Sequence, residues 1–140
     1  MMFKSKVIAT LSSLSVALFA GQAMAMNHQY VKGMDQSLTG GTVTAAEIHS
    51  HKNGWLVVHK TNEDMKPGPV VGYAPLKSGM NKDVTAILME PIEKDQKLML
   101  MLHGEDGGMK TGVFEYTLGA KEDGPVKVDG KLVMAVITAS

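Results

Sequence analysis

The histidine that follows the predicted leader stands where a free N-terminus would make it a copper ligand. Cleavage after Ala25 would leave Met26-Asn27-His28 at the start of the mature chain. A terminal amine, two deprotonated backbone amides and an imidazole in third position form the square nitrogen set that Cu(II) and Ni(II) prefer. Cleavage after Ala23 instead would move His28 to fifth position and remove the site. The sequence therefore predicts a chelating terminus at Met26, Asn27 and His28 that depends on one cleavage site.

Two further histidines lie two positions apart in a run typical of a β-strand. Because side chains alternate between the faces of a strand, His49 and His51 are expected on one face. Two neutral imidazoles can chelate copper or zinc, but a complete site needs a third ligand. His59, one strand further along, is a candidate for it. The alternative interpretation is that His49 and His51 are solvated residues near the end of a hairpin.

His59 and His103 each close an apolar run, and this position allows two roles. The two rings could meet between strands as metal ligands, with Asp106 or Met101 nearby. Alternatively, each histidine could be buried and hydrogen-bonded to a loop backbone, because buried polar groups need partners.

Methionine is abundant and aromatic residues are few, with 12 methionines against 5% aromatic residues. Met99 and Met101 alternate in one run and should share a face with His103. Thioethers are soft ligands that suit Cu(I). Further thioethers are available at Met26, Met34 and Met109. Core filling explains the methionines equally well, because their flexible side chains fill irregular gaps.

The patterns of known catalytic sites are absent. The chain has no cysteine, which excludes a blue-copper site and any disulfide. No serine stands in a nucleophile elbow, and the glycine-rich stretch 104–108 lacks the lysine and helix of a phosphate-binding loop. Glu105 and Asp106 lack the spacing of a calcium loop and are expected to form a solvated acidic turn. We therefore expect a protein that is not an enzyme.

The first 25 residues have the features of a secretory signal peptide. Lys4 and Lys6 precede an apolar run over residues 7–20, and Ala23-Met24-Ala25 has the small-x-small pattern of a cleavage site. This run is shorter than the roughly 20 apolar residues that span a bilayer, and no later run is long and apolar enough. These features predict a periplasmic or secreted protein with no integral membrane segment in its mature part.

Residues 42–140 show the pattern of a single all-β domain, preceded by a flexible N-terminal arm over residues 26–41. Short runs rich in β-branched residues alternate with turn residues, which is typical of an antiparallel β-sandwich. Asn53-Gly54 and Asp129-Gly130 are signals for tight hairpins. The run over residues 97–103 is apolar on both faces, which predicts a central strand. Seven or eight strands are predicted, one of them over residues 112–117, in an immunoglobulin-like or cupredoxin-like outline.

Several segments together resemble an uncharacterised domain of exported archaeal and bacterial proteins. They are Gly54-Trp55-Leu56-Val57-Val58-His59, Pro67-Gly68-Pro69-Val70-Val71-Gly72-Tyr73-Ala74-Pro75, residues 79–84, Met101-Leu102-His103 with Asp106-Gly107, and Gly112-Val113-Phe114-Glu115-Tyr116. The resemblance spans roughly residues 42–138. It implies a secreted β-sandwich and no established activity.

Two classes of function follow from these features. The first is a non-enzymatic module with a structural or interaction role, which binds a protein or a surface polymer through the face of a rigid sandwich. The alternative is a periplasmic copper-binding or copper-buffering protein that uses the mature terminus and a histidine/methionine patch. A nucleic-acid partner is not expected, because the 14 basic and 14 acidic residues balance and no basic cluster occurs.

Overall fold

The computed structural model describes residues 28–117 and 120–140, and the fold of these residues is all-β. No helix occurs within these ranges, so none of the described residues belongs to a helix that could cross a membrane. The strands in chain order are β1 (Tyr30–Gly33), β2 (Thr42–Ser50), β3 (Gly54–Thr61), β4 (Pro67–Leu76), β5 (Gly79–Ile87), β6 (Lys97–Gly104), β7 (Lys127–Val128), β8 (Lys131–Leu132) and β9 (Met134–Thr138). The predicted leader, residues 1–25, lies outside the described residues.

Two antiparallel sheets enclose one apolar core, which confirms the predicted sandwich-like architecture. The first sheet has the order β1-β2-β5 and the second the order β4-β3-β6-β9, while β7 and β8 form a small separate hairpin. Side chains of β2, such as Ile48, meet those of β3 and β6, such as Leu56 and Leu100, in the core. All three are fully buried, as expected for the inner faces of two stacked sheets.

The second sheet is buried on its outer face as well. Leu98, Leu100 and Leu102 of β6 point into the main core, whereas Met99 and Met101 lie on the other face and are equally buried. β6 lies between β3 and β9. The prediction of a central strand that is covered on both sides is therefore confirmed. The cover on the outer face is the long loop that follows β6.

One of the two predicted hairpins is confirmed and the other is wrong. Asp129 and Gly130 both have positive φ, 53° and 78°, and connect β7 to β8. Asn53 and Gly54 have no positive φ, and β2 and β3 belong to different sheets. The glycine is needed there for a close approach, because a β-carbon on Gly54 would overlap the carbonyl oxygen of His103 in β6.

The predicted N-terminal arm contributes structure from Tyr30 onward, so the ordered domain starts earlier than residue 42. β1 pairs antiparallel with β2. The Gln36 side chain then continues the sheet, because its amide accepts a hydrogen bond from Thr44 N and donates one to Thr44 O, both at 2.9 Å. Leu38 is buried in the core. This polar stretch shows no hydrophobic periodicity because it joins the sheet through the side-chain amide of Gln36, which forms the hydrogen bonds of a peptide group.

The predicted strand over residues 112–117 is wrong. These residues form part of the loop after β6 and have no strand partner. The backbone N–H of Glu115 donates to the Asp123 carboxylate at 2.8 Å instead of to a neighbouring strand. Phe114 and Tyr116 alternate as they would in a strand, but here both rings pack over the outer face of the second sheet.

Candidate functional site

Two buried histidines from neighbouring strands meet on the outer face of the second sheet. His59 lies on β3 opposite Met99, and His103 lies on β6 opposite Trp55. The pair formed by Val57 and Met101 separates these two positions on the same face. The two rings lean over this middle pair until their Nε2 atoms are 3.2 Å apart. Their exposed fractions are 1% and 0%, so solvent does not reach either ring.

A backbone carbonyl fixes the other nitrogen of each ring. His59 Nδ1 donates to Gly68 O of β4 at 2.8 Å, and His103 Nδ1 donates to Asp123 O at 2.7 Å. Because a carbonyl oxygen only accepts hydrogen bonds, each Nδ1 carries the hydrogen. In a neutral imidazole the remaining nitrogen is then a bare acceptor. Two lone pairs therefore point toward the same small space between the rings.

A positive group between the two Nε2 atoms would stabilise this arrangement. Burial lowers the pKa of His59 and lowers the pKa of His103 to about 4, with the carbonyl hydrogen bonds acting in the opposite direction. Two acceptors at 3.2 Å repel each other unless a proton or a metal ion lies between them. Of the two roles predicted for these histidines, the geometry confirms the hydrogen bond to a backbone carbonyl at each Nδ1, and it also brings the two Nε2 atoms together.

Aromatic rings close the histidine pair from above. Tyr116 packs edge-on against His103 with ring centroids 4.5 Å apart and contacts His59 at 6.0 Å. Phe114 packs against both Trp55 and Tyr73, at 5.4 Å from the first ring and stacked at 4.4 Å on the second. Of these rings Tyr73 reaches the surface, with 42% of its area exposed. The cover keeps water away from the two Nε2 atoms.

Carboxylates hold the covering loop in its conformation. The fully buried Asp123 accepts hydrogen bonds from Asp106 N and Glu115 N. Glu115 accepts from Met109 N and Lys110 N, and Glu105 accepts from Gly112 N. The carboxylate oxygens of Glu105, Glu115 and Asp123 lie within 4.8 Å of one another. Their backbone partners account for their positions, and the expected solvated turn at Glu105 and Asp106 is a structured loop with Asp106 exposed and Glu105 half-buried.

Comparison with known proteins places this geometry in a family. A family described as a domain of unknown function, DUF7282, matches residues 29–140. The chain belongs to this family. No curated protein matches the chain. No solved structure matches it either. The DUF7282 match includes both buried histidines and begins in front of β1, in agreement with the early start of the domain.

The surface histidines of this DUF7282 domain form a second, separate group. His49 Nδ1 lies 2.6 Å from His28 O, and the rings of His49 and His51 are 5.8 Å apart. The structure thus brings His28, His49 and His51 to one end of the first sheet. His59 does not join them, because β3 belongs to the second sheet. The third ligand expected for His49 and His51 is therefore not His59, and Met26 and Asn27 of the predicted chelating terminus lie outside the described residues.

Three features of the DUF7282 site could not be predicted from the sequence pattern. Gly68 and Asp123 act through backbone carbonyls, which no side-chain pattern reveals. Phe114 and Tyr116 were interpreted as part of a strand. Asp106, predicted near the pair, is exposed. One sequence signal points to the aromatic rings over the histidine pair. His103, Phe114 and Tyr116 flank a glycine-rich segment that is too polar for a core strand, which indicates a loop that carries rings back to the sheet.

Proposed function

We propose that this domain is a metal-binding module of an exported protein, and that the His59–His103 pair binds one copper ion. The observation that carries the proposal is the 3.2 Å separation of two Nε2 atoms whose partner nitrogens are both committed to carbonyls. Histidines that bind metal ions commonly donate their second N–H to a carbonyl or carboxylate, which fixes the tautomer and the ring. Both rings have this arrangement. Imidazole is a ligand that suits copper.

The burial of the pair favours holding an ion over catalysis. A catalytic metal keeps an open position for water or substrate. Here both rings are shielded by Tyr116 and by the loop that carries it, and their exposed fraction does not exceed 1%. We therefore propose a role in binding or buffering the ion, without an enzymatic step. The expected export of the chain stays a part of this proposal, as does a second copper ion at the chelating terminus Met26-Asn27-His28.

The test uses variants that remove only the converging nitrogens. Asparagine keeps a donor near the position of Nδ1 and lacks a counterpart of Nε2, so His59→Asn and His103→Asn retain the carbonyl hydrogen bond and lose the ligand. His49→Asn is the matched control on the surface. Copper binding to the full chain is measured by native mass spectrometry and by competition with a chelator of known affinity.

We expect one buried ion per chain. Both buried variants should lose copper affinity by more than the roughly 10- to 100-fold that is typical when a hydrogen-bond partner of a metal ligand is removed. The control should keep this buried ion. Copper retained equally by both buried variants and the parent protein would refute the proposal. Failure of the parent protein to bind copper at all would do the same.

A second candidate is the structural or interaction role, and an exposed apolar patch favours it. Ile87 and Met89 are 75% and 60% exposed, and together with Tyr73 they line a shallow depression between β4 and β5. Contiguous apolar surface of this kind is typical of sites that contact another macromolecule. A photo-crosslinker at position 87 should then capture a partner in cells, whereas one at the exposed Lys94 should not. Equal labelling at both positions would contradict this role.

A further inference from the structure

The distance between the two Nε2 atoms restricts how an ion can be coordinated, given the proposed function. Metal–imidazole bonds are about 2.0–2.1 Å long, so two nitrogens 3.2 Å apart subtend an angle of about 100° at the ion. Linear coordination by two ligands would need nitrogens about 4 Å apart. The ion therefore bonds the two histidines on one side and has room for a further ligand.

The strand register identifies the side chain that stands beside that open position. On the outer face of β6, Met101 lies in the pair that separates His59 from His103, and both rings lean over this pair to meet. Met99 lies directly opposite His59. Both methionines are 1% exposed and neither belongs to the main core cluster. The residue with the central position between the two rings is thus Met101.

No charged ligand joins the pair within residues 28–117 and 120–140. In this part of the chain, the set of three or more histidine and carboxylate groups close enough to share an ion is Glu105, Glu115 and Asp123, so no carboxylate or third histidine joins His59 and His103 in such a set. The sequence has no cysteine. The Asp123 carboxylate is committed to two backbone N–H groups. The donor set around the site is therefore two neutral imidazoles and a thioether.

A neutral and soft donor set selects a monovalent soft ion. Thioether ligands favour Cu(I), whereas structural Zn(II) sites use four ligands drawn from cysteine, histidine and carboxylates. Burying charge without compensation is costly, and the cost rises with the charge of the ion. Asp123 is the one fully buried acidic residue among the described residues, and it lies near His103. We infer that the site binds Cu(I) in preference to Cu(II) and Zn(II), with Met101 as the third ligand.

The experiment compares four ions and three methionine variants of the full chain. Cu(I) is held reduced with ascorbate and titrated against a chromophoric Cu(I) chelator, and Ag(I) serves as a redox-inert substitute. Cu(II) is titrated without reductant against a Cu(II) chelator of known affinity, and Zn(II) is titrated against a zinc dye. Met101→Leu conserves volume in the buried site. Met99→Leu is the variant at the neighbouring buried position, and Met109→Leu is the control, since Met109 is 96% exposed. X-ray absorption of the copper-loaded protein reports whether sulfur is bound.

We expect Cu(I) and Ag(I) to bind and Met101→Leu to weaken both by at least about tenfold, as for the loss of other groups that tune a metal site. The same variant should leave the melting temperature of the metal-free protein nearly unchanged. A sulfur scatterer should disappear in Met101→Leu and persist in Met109→Leu. Loss of affinity in Met99→Leu alone would overturn the assignment of Met101.

The outcomes separate this inference from the proposed function. Zn(II) or Cu(II) that binds as tightly as Cu(I), and does so through His59 and His103, would overturn the preference for Cu(I) while the metal-binding function stands. Absence of binding for every ion would overturn both.

Discussion

Gly54 of β3 approaches His103 of β6 so closely that a β-carbon on Gly54 would overlap the His103 carbonyl oxygen. The contact joins the first residue of β3 to the strand that carries one of the two buried histidines. The close approach of these two backbones therefore helps to fix the position of His103 relative to His59.

Gly54→Ala should destabilise the domain, because the new β-carbon would overlap the His103 carbonyl oxygen and the backbone of β6 cannot shift without disturbing the sheet. Overpacking of this kind costs about 1–3 kcal/mol. The measurement is urea unfolding, compared with Gly40→Ala as the control, since a β-carbon on Gly40 meets nothing within 4 Å. Equal stability of the two variants would contradict the close approach.

The metal-free domain should lose stability as the pH falls from about 6.5 to about 4. Burial lowers the pKa of both His59 and His103 in the folded state, so the unfolded chain binds protons in this window that the folded chain does not. Stability is thus fully present above the unfolded pKa and falls by about 1.4 kcal/mol per pH unit for each such proton.

Thermal unfolding in chelator, followed between pH 7 and pH 5, measures this slope. The double variant His59→Asn with His103→Asn removes both titrating rings and should show a shallower slope than the parent protein. Parallel curves for the two proteins would mean that the histidine pair does not cause the pH dependence.

Asp123→Asn should loosen the covering loop. The carboxylate accepts from two backbone N–H groups, and an amide oxygen can replace only one of the two acceptors. Leaving a buried donor without a partner costs about 1–3 kcal/mol. Hydrogen exchange at Asp106 and Glu115 should accelerate in this variant.

Asp129→Asn is the matched control for this change, since Asp129 has a similar positive φ and lies in an exposed turn. It should leave exchange in the loop unchanged. Acceleration in both variants alike would show that the effect does not depend on the buried carboxylate.

Phe114→Ala should admit water to the aromatic cover. The ring packs against Trp55 and Tyr73, and Trp55 is the one tryptophan of the chain. Tryptophan emission should therefore shift to longer wavelength. The loss of stability should be roughly 1–3 kcal/mol, below the value for a fully buried phenylalanine, because this ring is half-buried. Val113→Ala, at an exposed neighbour, should change neither quantity.

The strands of the two sheets could be predicted well because their periodicity is local. The bounds of β2 follow from a run rich in β-branched residues, and the two-sided burial of β6 follows from a continuous apolar run. The early part of the domain could not be predicted, because Gln36 joins the sheet through a side-chain amide and leaves no periodic trace.

The candidate site could be predicted as residue types but not as an arrangement. His59 and His103 are 44 positions apart, and their meeting depends on β3 and β6 being neighbours, which turn signals do not reveal. A strand is predicted within the loop between β6 and β7, but the conformation of this loop depends on hydrogen bonds to a buried carboxylate and not on strand pairing. Sequence alternation alone does not distinguish the two cases.

The histidine pair draws on four separate segments of the chain: β3 and β6 for the two rings, β4 for the carbonyl of Gly68, and the long loop for that of Asp123. A newly synthesised chain that is still extended has none of these groups within reach of one another. Under the proposed function, the ion would therefore bind only after the chain has folded, and a cell would have to supply it where the folded protein is found.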